Sequence, residues 1–143
     1  MATFQSFEEI EAWQKARKLS REVYKVSNQN PFVKDFGLRD QIRRASVSIM
    51  ANIAEGFERN GTSEFRQFLA IAKGSVGEVQ AHLYIALDQN YISDRKTFEE
   101  LHALAADTGR LIGGLMNYLR TSEMRGPKFK KLATRDSEPG TRN

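Results

Sequence analysis

The chain has no cysteine, which excludes a disulfide framework, a thiolate nucleophile and any cysteine-ligated metal. Histidine is almost as scarce. His82 and His102 have no third ligand at a recognisable spacing, so no zinc or iron site is expected. No apolar run approaches the roughly 18 residues that cross a bilayer, and the opening MATFQSFEEIEAW lacks the basic-then-apolar order of a signal peptide. A soluble, cytoplasmic protein with no membrane partner is expected. A sustained period-two pattern of β-branched residues is also missing, which argues against strands. The small residues Ala72, Gly74, Ser75 and Gly77 follow no strand, and GxxxxGK[ST] does not occur, so there is no phosphate-binding loop and no cofactor is expected. Ser46 and Ser48 have no base beside them in sequence and receive no nucleophilic role.

What remains is helix. At 143 residues the chain fits one domain with a real core. Ser6 with Glu9 reads as a capping box opening a first helix that runs to about Asn28. Ala12, Ala16, Leu19, Val23 and Val26 give its stripe, widened by Ile10 and Trp13. Asn30-Pro31-Phe32 stops it, because proline disfavours helical geometry before it and supplies no donor. A second helix spans about Gly37 to Arg59, with Leu38, Ile42, Ala45, Ile49, Asn52 and Gly56 on its seam. Asn60-Gly61 marks a turn, and Thr62 or Ser63 caps a third helix ending near Gln89-Asn90. Its seam is Phe65, Leu69, Ala72, Val76, Val79, Leu83 and Ala86. Asp94, or Thr97 with Glu100, caps a fourth, whose stripe is Leu101, Leu104, Thr108, Leu111, Leu115 and Tyr118, joined by Ile112 and Leu119. Short connections place neighbouring helices antiparallel, so residues 1–121 should form an all-α, up-down-up-down four-helix bundle.

Charge is unevenly spread. Residues 1–59, 60–121 and 122–143 carry net charges of +2, −1 and +3, within a total of +4. The last of these, SEMRGPKFKKLATRDSEPGTRN, has the composition of a disordered basic tail. Arg39, Arg43 and Arg44 gather near the start of the second helix, where the macrodipole disfavours cations, so helix formation does not account for them. Lys15, Arg17, Lys18, Arg21 and Lys25 crowd the first helix, and Glu8, Glu11, Glu22 and Asp40 are interspersed among the basic residues of the two helices. Lys15, Lys18, Arg21, Arg39, Arg43 and Arg44 are the nucleic-acid-binding candidates, against the alternative of a solvated helix face. No aromatic-rich stacking motif accompanies them, so base-specific reading is not expected.

Asn52 and Gly56 on a buried seam are costly. An unpaired buried amide costs about 1–3 kcal/mol, and glycine costs roughly 1 kcal/mol of helix propensity against alanine. Asn52, Glu55, Arg59, Ser75 and Glu78 could in principle do acid-base work. A register-setting network between the second and third helices explains them without a substrate, Glu55 and Arg59 standing at the i, i+4 spacing of an ion pair. Val47, Met50 and Ile53 are apolar residues beyond the second helix's seam and point to self-association.

Gln41-Ile42-Arg43-Arg44-Ala45, Asn52-Ile53-Ala54-Glu55-Gly56 with Arg59, and Ala72-Lys73-Gly74-Ser75 with Glu78 resemble the four-helix-bundle family of proteins encoded in intervening sequences of bacterial large-subunit ribosomal RNA genes. The resemblance covers residues 6–120. The accessory protein of diversity-generating retroelements is a similar bundle, linked to nucleic acid and to a reverse transcriptase. The resemblance implies an antiparallel bundle assembling as a homopentamer, without enzymatic activity. The expected function is therefore a homo-oligomeric protein whose basic surface binds RNA or DNA as a scaffold or accessory factor. The alternative is a protein-protein adaptor with no nucleic-acid role.

Overall fold

The structure is a computed structural model that describes residues 4–121; the expected disordered tail, 122–143, lies outside the described residues. The described chain is all-α, with four helices and no strand. Helix α1 is Glu11–Ser27, α2 is Phe36–Glu58, α3 is Thr62–Asp88 and α4 is Arg95–Thr121. Each packs on its neighbours in the chain, and α1 also packs on α4, which closes the four around one core. Residue numbers fall along α1 as they rise along α2 in the contacts between them: Ser46 meets Ser20 and Arg43 meets Ser27. No described helix is long and apolar enough to cross a membrane.

The helix starts differ from expectation. Ser6 makes no side-chain cap. It precedes a 3-10 turn, Phe7–Glu9, and α1 begins only after Ile10. Glu9 instead accepts the Gln5 N–H at 3.0 Å. Packing decides this: Ile10 and Trp13 are buried and the Trp13 ring stacks edge-on against Phe7, so the turn folds under the bundle to cover the end of the core. The N-cap of α2 is Asp35, whose Oδ1 accepts the Leu38 N–H at 3.1 Å. Neither Thr62 nor Ser63 caps α3, which starts from Gly61 at φ 124°, a left-handed backbone that glycine adopts at no steric cost. Asp94 caps α4, accepting the Lys96 N–H and the Thr97 hydroxyl, while Glu100 pairs with Lys96.

Asp35 does two things. Its Oδ2 also accepts the Tyr91 hydroxyl at 2.9 Å, and Tyr91 stacks on the buried Phe32 with ring centroids 5.3 Å apart. The α1–α2 and α3–α4 connections are thereby tied together at one end of the bundle. The hydrogen bond to Asp35, with some burial, raises the Tyr91 pKa above its ordinary value.

The expected seams of α1 and α3 are buried throughout. Two others shift. On α4 the buried line is Phe98, Leu101, Ala105, Thr108, Ile112 and Leu119, while Leu104, Leu111, Leu115 and Tyr118 are half-buried beside it. A helix wedged between α1 and α3 needs a stripe wider than one seam, and both four-three registers serve it. On α2 the core position belongs to Ile53, which is fully buried, and Asn52 sits half-exposed one residue away. Met50 packs against the core as well, so of the three residues taken as surplus only Val47, 41% exposed, remains outside. Gly56 is buried for a reason of space: a Cβ there would lie 2.8 Å from Phe68 Cβ and 2.9 Å from Phe65 Cδ1. It is the close crossing point of α2 and α3.

Candidate nucleic-acid interface

The amphipathic pattern of α1 turns Ala16, Leu19 and Val23 inward and therefore turns Lys18, Arg21 and Lys25 into solvent, with Lys15 half-buried at the margin. None of these four forms an ion pair among the described residues, although Lys18 and Glu22 stand at i, i+4 and Lys15 and Glu11 at the same separation. On α4 the outcome is the opposite: Arg95 pairs with Glu99, Lys96 with Glu100 and Arg110 with Asp107. Lys15, Lys18, Glu22 and Lys25 line one wall of an open groove of about 680 Å³ between α1 and α4, and Glu100 and Asp107 stand on the other. Glu100 and Asp107 are paired with α4 cations, so on the α1 wall three lysines face a single carboxylate, Glu22, that has no ion pair among the described residues.

The arginines of α2 divide. Arg44 is exposed and has no polar partner among the described residues. Arg39 and Arg43 are half-buried and occupied. The Arg43 Nε donates to Ser27 Oγ at 2.8 Å, and its guanidinium lies 4.7 Å from the centroid of the Tyr24 ring. Arg39 donates to Asp40 at 2.9 Å and to the Val33 carbonyl at 3.2 Å, and lies 4.9 Å above Phe36. Structure explains their places: Arg43, two turns into α2 and beyond the reach of the macrodipole, fastens α2 to α1, and Arg39, at the end of the first turn, fastens α2 to the preceding turn. The exposed ion pair with Asp40 contributes little by itself.

These contacts expose what the sequence reading missed. Tyr24 is 43% exposed and Phe36 62% exposed, each with an arginine stacked upon it. They form no aromatic-rich sequence motif, yet the fold brings each ring against one of the basic residues. The signal was present in the sequence as two aromatics off the buried stripes, Tyr24 one turn beyond Arg21 and Phe36 one turn before Arg39.

The expected polar network is two networks. Asn52 Nδ2 donates to the Ser48 carbonyl at 2.8 Å and to Ser48 Oγ at 3.0 Å, and Ser75 donates to that same Oγ at 3.0 Å. Ser48 is the bridge between α2 and α3, and Asn52 reaches only its own helix. Separately, Arg59 pairs with Glu55 at 2.8 Å and Glu64 at 3.8 Å and lies over Phe68. The hydrogen bond from Arg59 to Glu55 raises the Arg59 pKa further above its ordinary value. Glu78 is exposed and belongs to neither. No triad of potential metal ligands occurs among the described residues.

Comparison with known proteins agrees with this architecture. A crystal structure of a protein of unknown function from the S23 ribosomal protein family of Bacteroides thetaiotaomicron superposes with a TM-score of 0.68 at 23% identity. The match covers 74% of this chain and 95% of the other. No curated protein matches the chain significantly. The family model for 23S rRNA-intervening sequence proteins matches residues 8–114, from the turn before α1 to the last third of α4. The chain belongs to the 23S rRNA-intervening sequence protein family.

Proposed function

We propose that this chain is a non-enzymatic, cytoplasmic, homo-oligomeric protein that binds RNA or DNA through its basic surface, as a scaffold or accessory factor. The assembling unit is an antiparallel up-down-up-down bundle, and the stoichiometry, by the resemblance drawn from its motifs, is a pentamer. The observation that carries the reading is the unpaired state of Lys15, Lys18, Arg21, Lys25 and Arg44. Cations left without partners while carboxylates stand within reach present a field to solvent, and repetition around an oligomer axis multiplies it.

Self-association uses the outer face of α2 and α3, where Val47 and the 53%-exposed Ile71 stand beside the small exposed residues Ala51 and Gly74. That apolar face also favours the second reading, a protein-protein adaptor. A salt titration separates the two. Nucleic-acid affinity that falls steeply as salt rises, with loss on Lys15→Ala/Lys18→Ala, supports the first; absence of nucleic-acid binding at low salt refutes it. Light scattering on the same samples reads the assembly, and a monomeric mass at micromolar concentration refutes the oligomer.

A further inference from the structure

Tyr24 and Phe36 are large aromatic rings left in solvent on a small bundle whose other α1 aromatic, Trp13, is buried. Neither is needed to close the core. Both lie on one continuous line. Phe36, Arg39 and Arg43 fall at i, i+3 and i+7 along α2, and Arg43 carries the line across to Tyr24 of α1 through its stacking contact and its bond to Ser27. Arg39 and Arg43 are one turn apart, roughly 6 Å along the axis. Each guanidinium covers part of a ring and is held there by a second contact, to Val33 and Asp40 or to Ser27. The rings are thus braced rather than free to swing. Arg21, one turn before Tyr24 and without an ion-pair partner, adds an uncommitted cation beside the line. Asp40, the carboxylate adjoining it, is taken up by Arg39.

We propose that this line is a stacking platform for single-stranded nucleic acid, with one unstacked base on Tyr24, one on Phe36, and Arg21 on the backbone beyond the Tyr24 base, on the side away from Phe36. The inference rests on the nucleic-acid reading above and adds the strandedness of the ligand and where it sits. Exposed aromatic faces bind bases of any sequence, and cation–π contact with arginine strengthens the stack. A duplex offers no free base face, since its bases are stacked on one another, so the platform selects unpaired strands. Charge alone would not select them in this way, because lysine contacts act on phosphates in either form.

The test uses the full chain and fluorescence anisotropy with a labelled, unstructured single-stranded RNA of about 12 nucleotides, and a blunt duplex of the same length. Tyr24→Ala/Phe36→Ala should weaken single-strand binding at least about tenfold, leave duplex binding within about twofold, and leave the salt slope unchanged because no phosphate contact is lost. Tyr24→Phe should restore the single-strand affinity lost through Tyr24→Ala. Circular dichroism checks that the variants are folded. In addition, Tyr24→Trp should show indole emission quenched on saturation with single strand, a readout that requires no destabilising truncation. If the wild type binds the single strand and the double variant binds it equally well, or if the double variant loses single strand and duplex alike, the platform is refuted and the electrostatic reading stands. If the indole emission of the Tyr24→Trp variant does not change at saturation, the platform is likewise refuted. If the wild type binds neither oligonucleotide, the nucleic-acid reading itself falls, and this inference with it.

Discussion

Gly56 sets two effects of similar size against each other. Replacing a helical glycine by alanine gains roughly 1 kcal/mol of propensity in a helix interior, which is the upper limit for Gly56, in the last turn of α2. At Gly56 the new Cβ would approach Phe68 Cβ to 2.8 Å, Phe65 Cδ1 to 2.9 Å and the Phe65 carbonyl oxygen to 3.3 Å. The first atom is itself a Cβ and the last is backbone, so neither moves without displacing α3. Phe65 is buried and edge-on to Phe57, so in a close-packed core it turns only by displacing a neighbour. Overpacking of this kind costs about 1–3 kcal/mol, and with three close contacts the upper half of that range applies. Gly56→Ala should therefore be destabilising by about 1–2 kcal/mol net, lowering the melting temperature by roughly 3–8 °C at this chain length. The controls are Gly77→Ala on α3 and Gly114→Ala on α4, where nothing lies within 4 Å of the added Cβ. Each should gain about 0.5–1 kcal/mol. Urea denaturation followed by circular dichroism reads all three. A Gly56→Ala variant as stable as the Gly77→Ala one would show that α2 and α3 are not in contact at that crossing.

Ser48→Ala removes the acceptor shared by Asn52 and Ser75 and should lower stability by about 1 kcal/mol, whereas Asn52→Leu, whose own bonds stay within α2, should leave helix register intact; crosslinking between cysteines introduced on the outer faces of α2 and α3 reads the register. Arg43→Ala should lower stability by about 1–2 kcal/mol through loss of the Ser27 bond, while Arg44→Ala should leave the melting temperature unchanged; equal effects in thermal melts would refute the division between them. Val47→Glu/Ile71→Glu should yield a folded monomer by light scattering, and an intact oligomer would move the interface elsewhere. Asp94 is held below the usual carboxylate range, chiefly by the Thr97 hydroxyl and then by the Lys96 N–H. Its contribution is present above the unfolded value and is lost as pH falls through the depressed folded one. The stability gap between wild type and Asp94→Asn should accordingly close in acid, and a gap constant with pH would refute that source.

The four helices were legible because their signals are redundant. Phe65 to Ala86 repeats the same four-three spacing over six intervals, and every member is buried. One mismatched residue cannot hide such a pattern. Single-residue decisions had no such support. Choosing between Asn52 and Ile53 for the core depends on how far α2 is rotated, and that rotation is set by Gly56 against Phe65 and Phe68, residues of another helix that a local window does not contain. The start of α1 failed for the same reason: Ser6 and Glu9 satisfy a capping box locally, yet burial of Ile10 and Trp13 outweighs it.

The candidate site was legible in its charges and illegible in its geometry. Lys15, Lys18 and Arg21 could be placed outside simply by exclusion from the stripe of α1. Arg43 could not be assigned, because its partners Ser27 and Tyr24 lie 16 and 19 positions away on another helix. The contact also reverses what the residue means. A cation crowded near a helix start reads from sequence as a free phosphate ligand, whereas in the fold it is the strut that presents an aromatic ring to solvent. Removing Arg39, Arg43 and Arg44 together would therefore confound a loss of phosphate contacts with a loosened α1–α2 pair. Of the three, Arg44→Ala alone probes charge by itself, and truncation of Tyr24 and Phe36 probes the platform that Arg39 and Arg43 support.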